Sequence, residues 1–144
     1  YGLPTVILRL FQVFGENQRW DTVIAIFSKL KKEGKPVTLF ESSPGSKTCV
    51  SVRDFIYVKE VADAFICAAE SNNTGKGEVF NIASGTLTKI EDIAKAFGCE
   101  ISFIPKRSFE VDRHEADITN ATKFLDWHPK VHILEWLREY VKTL

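Results

Sequence analysis

The segment Arg53-Asp54-Phe55-Ile56-Tyr57-Val58 runs directly into Lys59-Glu60-Val61-Ala62-Asp63-Ala64-Phe65, so a β-rich apolar run passes without a break into a helical pattern. A buried strand feeding a helix is the building unit of layered α/β proteins. In such folds charged ligands collect where strands open into helices. The single arginine at the mouth of this strand offers a planar fork of donors, which suits a phosphate better than a lysine would.

The same alternation continues on both sides. Thr5–Leu10 reads as a strand after Pro4, and Phe11–Arg19 as a loop. Val23, Ile24, Ile26, Phe27 and Leu30 line one face of a helix, which Asp21 is expected to cap and Gly34 to stop. Val37–Phe40 is a strand, Ser42–Ser46 a turn, Cys49–Val58 a strand, Glu60–Ser71 a helix and Asn72–Gly77 a loop. Val79–Ile82 is a strand ending at Ser84-Gly85. Thr88-Lys89-Ile90-Glu91 fits a capping box, which predicts a helix running to Phe97 with Gly98 as its stop. Ile101–Ile104 is a strand ended by Pro105, and Lys106–Glu115 a charged loop with some extended backbone. Asp117 is expected to cap a short helix through Leu125, which Trp127-His128-Pro129 breaks. Ile133, Leu137, Val141 and Leu144 mark one face of a terminal helix. Trp20 and Trp136 are read as core or half-buried packing. The order predicts an α/β fold with at least some parallel pairing.

Composition limits the partners. Lys plus Arg and Asp plus Glu both number 19, so the chain has no global attraction for nucleic acid or an anionic membrane. An anionic ligand must be met by a local cluster of cations. No apolar run approaches the ~20 residues of a transmembrane helix. Cys49, Cys67 and Cys99 lack C-x-x-C spacing, and His114, His128 and His132 lack H-E-x-x-H spacing. Neither disulfides nor a metal site are therefore expected, and reduced thiols in a cytoplasmic protein are. The chain begins Tyr1-Gly2-Leu3 and contains no methionine, so it is read as a piece of a longer protein.

Four blocks carry a resemblance. Leu8-Arg9-Leu10-Phe11-Gln12-Val13-Phe14-Gly15 resembles L-R-Y-F-N-V-Y-G of extended short-chain dehydrogenase/reductase proteins. Arg53–Val58 with Val61-Ala62-Asp63-Ala64 resembles their R-D-F-I-Y-V-x-D-V-A-x-A. Gly77–Gly85 resembles G-E-x-Y-N-I-G-S-G, and Ala116–Pro129 resembles A-D-x-x-K-A-x-x-x-L-G-W-x-P. In this order they are similar to the C-terminal half of NAD-dependent nucleotide-sugar epimerases and dehydratases. The resemblance implies the last parallel strands of a Rossmann-type fold plus a small α/β substrate-binding subdomain. It implies that residues 1–144 form a single C-terminal substrate-binding portion, with the N-terminal NAD-binding Rossmann half absent.

In that family a Tyr-x-x-x-Lys pair removes a sugar hydroxyl proton while NAD takes hydride. Tyr1, Tyr57 and Tyr140 have no lysine four residues on, and no G-x-x-G-x-x-G turn occurs, so this chain alone is expected to be inactive. The implied ligand is a nucleotide sugar, with a homodimer for the full-length protein. Arg53 and Arg107 match the family arginines that hold the diphosphate. Glu110 falls at the acidic position that meets the ribose, with Phe109 where relatives have glycine. Gln12 stands at the asparagine position near the sugar diphosphate and nicotinamide. Read from the residues alone, Arg53 is a strand-edge arginine paired with Asp54 or Glu60, Glu110 a solvated loop charge, and Gln12 a local backbone partner. An NADP-dependent keto-sugar or other carbonyl reductase and a non-catalytic nucleotide-sugar-binding module remain the alternative functions.

Overall fold

The computed structural model describes residues 2–144; Tyr1 lies outside the described residues. The chain opens with β1 (Val6–Leu10) and β2 (Gln12–Phe14), followed by α1 (Val23–Lys32), β3 (Val37–Phe40), β4 (Val52–Tyr57) and α2 (Val58–Glu70). Then come β5 (Glu78–Ile82), β6 (Leu87–Lys89), α3 (Ile90–Ala96), β7 (Ile101–Ile104), β8 (Arg113–His114), α4 (Thr119–Leu125) and α5 (Ile133–Tyr140), which ends in a 3-10 turn, Val141–Thr143.

Parallel pairing dominates. β1 pairs with β5, β2 with β4, and β3 with β7, all parallel. β4 is the hub: beyond β2 it takes antiparallel β6 and parallel β8, so strands from three other parts of the chain converge on it. The period-two alternation of β4 assigns its side chains to two cores. Phe55 enters a core with Phe14, Phe27, Leu39, Phe97 and Leu137. Ile56 enters a second with Val61, Phe80, Ile82, Leu125 and Trp127.

Three strands appear where loop or helix start is expected from sequence. Phe11 donates its amide to the Ile82 carbonyl, and the chain then shifts from β5 to β4, so Gln12–Phe14 is a strand of its own rather than loop. Thr88 does not cap a helix; it lies in β6 opposite Arg53, and α3 begins at Ile90, whose amide bonds the Ser51 carbonyl. Arg113–His114 is the extended piece within the charged loop. The cap of α1 is Thr22, whose Oγ1 accepts the Ala25 amide at 3.3 Å, and not Asp21, which is ion-paired to Arg19. Asp117 accepts the Thr119 amide at 2.9 Å but stands one position before the N-cap, which is Ile118. Trp20 is 85% exposed, a correction to its reading as packing. Trp136 does pack, stacked on Tyr140 and edge-on to Phe14.

Two local devices hold the layers in register. Glu60, buried on the first turn of α2, accepts the Lys130 and Val131 amides through Oε1. The indole of Trp127 donates to the Glu60 carbonyl at 3.0 Å, so the Trp127-His128-Pro129 break is fastened to the start of α2. Gly15, at φ 148°, ends β2 against α2; a Cβ there would meet Val58 Cγ1 at 2.5 Å. We expect Gly15→Ala to cost about 1–3 kcal/mol by overpacking and backbone strain. Urea denaturation measures it, and an unchanged midpoint would show that α2 can retreat at no cost.

Candidate functional site

The alternation that divides the cores also divides two adjacent charges on β4. Arg53 projects to the Phe55 side and Asp54 to the Ile56 side. Asp54 is fully buried; its Oδ1 accepts the Ser84 amide (2.8 Å) and hydroxyl (2.7 Å), and its Oδ2 the Gly85 amide (3.0 Å). It is thus spent on fastening the turn after β5. Glu60 is spent on the Lys130–Val131 amides. Neither of the two partners expected from sequence is available to Arg53.

Arg53 turns instead to the loop between β7 and β8. Its Nη2 donates to Glu110 Oε1 at 2.8 Å, and its Nη1 to the Val52 and Asp112 carbonyls at 2.9 and 3.3 Å. Glu110 is therefore not a solvated loop charge. A turn closed by its amide on the Arg107 carbonyl (3.1 Å) carries Glu110 and Arg107 together. Phe109, at the tip of that turn, points to solvent with 77% of its surface exposed, so the ring does not disturb the loop.

All four residues singled out from sequence meet in one place. Gln12, Arg53, Arg107 and Glu110 line a cleft of about 400 Å³ whose wall includes Phe27, Leu39, Phe40 and Ile104. Arg107 lies over the Phe40 ring at 5.0 Å, a cation–π contact that braces its guanidinium. On the strand Val37–Phe40, Leu39 is buried, while Phe40 serves as the platform for Arg107. Asp21 lines the same cleft. The hydrogen bond from Arg19 holds its carboxyl below the usual aspartate range, so it stays charged and repels an anion at that rim. The cations and the apolar wall suit a ligand with one anionic and one flat apolar end.

Two features escaped the sequence reading. An acid inside an otherwise apolar strand is the signal for Asp54, because a buried carboxylate must find donors. The stacking of His114 on Phe11, centroids 4.7 Å apart, had no signal, since it depends on β8 joining β4.

The model of the NAD dependent epimerase/dehydratase family matches residues 1–83, more than half of the chain. The chain belongs to that family. Among curated relatives of the family, a UDP-glucose 4-epimerase of Mycolicibacterium smegmatis is 33% identical over 83% of this chain and 38% of its own length. UDP-glucuronic acid decarboxylase 3 of Arabidopsis thaliana is 27% identical over 95% of this chain and 40% of its own. Among solved family structures, the UDP-glucose 4-epimerase of Thermotoga maritima, crystallised with UDP-glucose, superposes with a TM-score of 0.83 at 31% identity. That match covers 99% of this chain and 46% of the other. A UDP-glucuronic acid 4-epimerase of Bacillus cereus, in complex with UDP-glucuronic acid and NAD, gives a TM-score of 0.80 at 29% identity over 97% of this chain and 46% of the other. The chain thus spans less than half the length of these family members.

Proposed function

We propose that this chain is the nucleotide-sugar-gripping portion of an NAD-dependent epimerase/dehydratase, with residues 1–144 acting as one substrate-binding unit. The observation that supports this reading is the meeting of Gln12, Arg53, Arg107 and Glu110 on a single cleft with an apolar wall. Arg53 and Arg107 take the diphosphate, Gln12 the sugar-proximal edge, and the apolar wall the base. Uridine is the proposed base, because relatives and structural neighbours are named for UDP-sugars. In the parent protein, NAD supplies the hydride acceptor when bound, and the sugar passes through a keto intermediate. This portion contributes grip, so that binding energy remote from the reacting carbon orients it.

The residues present do not fit the dinucleotide itself. The β4-to-α2 junction is Tyr57-Val58, with no glycine turn, and Gly15 is filled by Val58 instead of opening onto a phosphate. An N-terminal NAD-binding half is the proposed complement. Among the described residues β1 pairs with β5 alone, leaving its other edge open. Ile7 and Val79, paired in register, are exposed, as are Phe65 and Ile66 of α2. An open edge beside exposed apolar side chains favours cover by further α/β structure. The thiols of Cys49, Cys67 and Cys99 are free, which agrees with a cytoplasmic setting, and a homodimer is proposed for the full-length protein. No helix among the described residues is long and apolar enough to cross a membrane.

Thermal-shift titration with UDP, UDP-glucose and UDP-glucuronic acid tests the grip. Saturation at about 100 times Kd is expected to add about 2.7 kcal/mol of stability. A folded chain with an unmoved melting temperature for all three tells against the reading. The same chain with NAD and UDP-glucose is expected to give no UDP-galactose; turnover by the pure chain would overturn the assignment of chemistry to the other half.

A further inference from the structure

We propose that Glu110 is a positioning residue for Arg53: its carboxylate fixes the guanidinium so that the remaining N–H groups meet the diphosphate. The inference rests on the nucleotide-sugar reading and gives Glu110 a task other than the ribose contact implied by family resemblance.

The geometry argues for it in three steps. Of the five N–H groups a guanidinium carries, Nη1 uses its two on the Val52 and Asp112 carbonyls and Nη2 uses one on Glu110. The Nε–H and one Nη2–H are left for a ligand. The carbonyls hold the group at Nη1 alone, so Glu110 is the contact that stops it swinging about that end. Next, the loop that carries Glu110 is itself anchored. The Asp112 carbonyl accepts the Val52 amide at 2.7 Å, Lys106 is ion-paired to Asp112, and the Arg107–Glu110 turn is closed by its own hydrogen bond. Last, the pair is largely withdrawn from water, with side-chain exposures of 12% for Arg53 and 21% for Glu110. A guanidinium already held in place loses less side-chain freedom when a phosphate arrives.

Charge alone makes the opposite forecast. A carboxylate 2.8 Å from Arg53 cancels part of its attraction for an anion, so its removal should tighten diphosphate binding. The sign of the effect therefore separates ordering from competition.

The experiment titrates UDP and inorganic pyrophosphate by calorimetry into the chain and into Glu110→Ala, Glu110→Gln, Arg53→Ala and the Arg53→Ala/Glu110→Ala double variant. Glu110→Ala is expected to weaken both ligands about tenfold. Glu110→Gln keeps an acceptor of the same reach, so its loss is expected to stay within about threefold. In the Arg53→Ala background, Glu110→Ala is expected to add nothing, because the two act as one unit. Tighter binding by Glu110→Ala overturns the proposal. So does a loss seen for UDP but not pyrophosphate, or one that persists at full size without Arg53. A ligand-free readout stands beside these: the ¹⁵N-resolved Arg53 Nε–H signal is expected to be sharp in the parent chain and broadened in Glu110→Ala. An unchanged signal overturns the proposal. A broadened signal in a chain that binds neither ligand supports the ordering of Arg53 while rejecting the nucleotide-sugar reading.

Discussion

Asp54→Ala is expected to lower stability by about 3–5 kcal/mol, the range for breaking a buried charged hydrogen-bond network. The carboxylate is fully buried and takes donors from Ser84 and Gly85, so its loss orphans two backbone amides, leaves the Ser84 hydroxyl with its Thr86 partners alone, and opens a small cavity. In a domain of this size each kcal/mol moves the melting temperature by about 2–4 °C, so a fall on the order of 10 °C is expected. Asp54→Asn should recover only part of the loss, because its amide nitrogen is turned toward donors where an acceptor is required. Calorimetric melting of both variants measures it. A fall of under about 3 °C for alanine would mean that water or a neighbouring group takes over the Ser84–Gly85 amides.

Arg53→Ala is expected to weaken UDP-sugar binding by about 1.5–3 kcal/mol, or about 10- to 150-fold in Kd, the usual worth of hydrogen bonds to a charged group. The fold should survive, since neither Arg53 nor Glu110 belongs to either hydrophobic core. Arg53→Lys should recover little, because an ammonium cannot span the Glu110 carboxylate, two carbonyls and a phosphate at once. Calorimetric titration with UDP-glucose and a far-ultraviolet spectrum of each variant test the pair of statements. An unchanged Kd in a normally folded Arg53→Ala chain would remove Arg53 from the site and with it the main support for the functional reading.

Much of the fold was legible because hydrophobic period records which face of an element meets a core. β1, β3, β5 and β7 fall where their apolar runs lie, and α1, α2 and α5 follow their apolar stripes. The short strands β2 and β6 were not legible, and β8 was legible only as some extended backbone in the charged loop. They run for three, three and two residues, too few for a period, and they are extended because β4 offers them hydrogen bonds. Thr88 shows the conflict plainly. Its local signal is a helix cap, yet pairing opposite Arg53 prevails, since a cap contributes only about 1 kcal/mol. Trp20 shows the reverse case, a large apolar side chain whose type says core while its loop leaves it in solvent.

By itself the sequence determined the α/β class and the family and singled out four residues that share one cleft, because residue type, spacing and period are local properties written along the chain. Only the tertiary structure decided that Arg53 pairs with Glu110 and not with Asp54 or Glu60, and that Phe40 braces Arg107. Those partners lie far apart in sequence; Arg53 and Glu110 meet when β8 joins β4, and Phe40 and Arg107 when β3 pairs with β7. A charge near a low-dielectric wall pairs with whichever group the folded backbone delivers, and no spacing in the chain encodes that delivery.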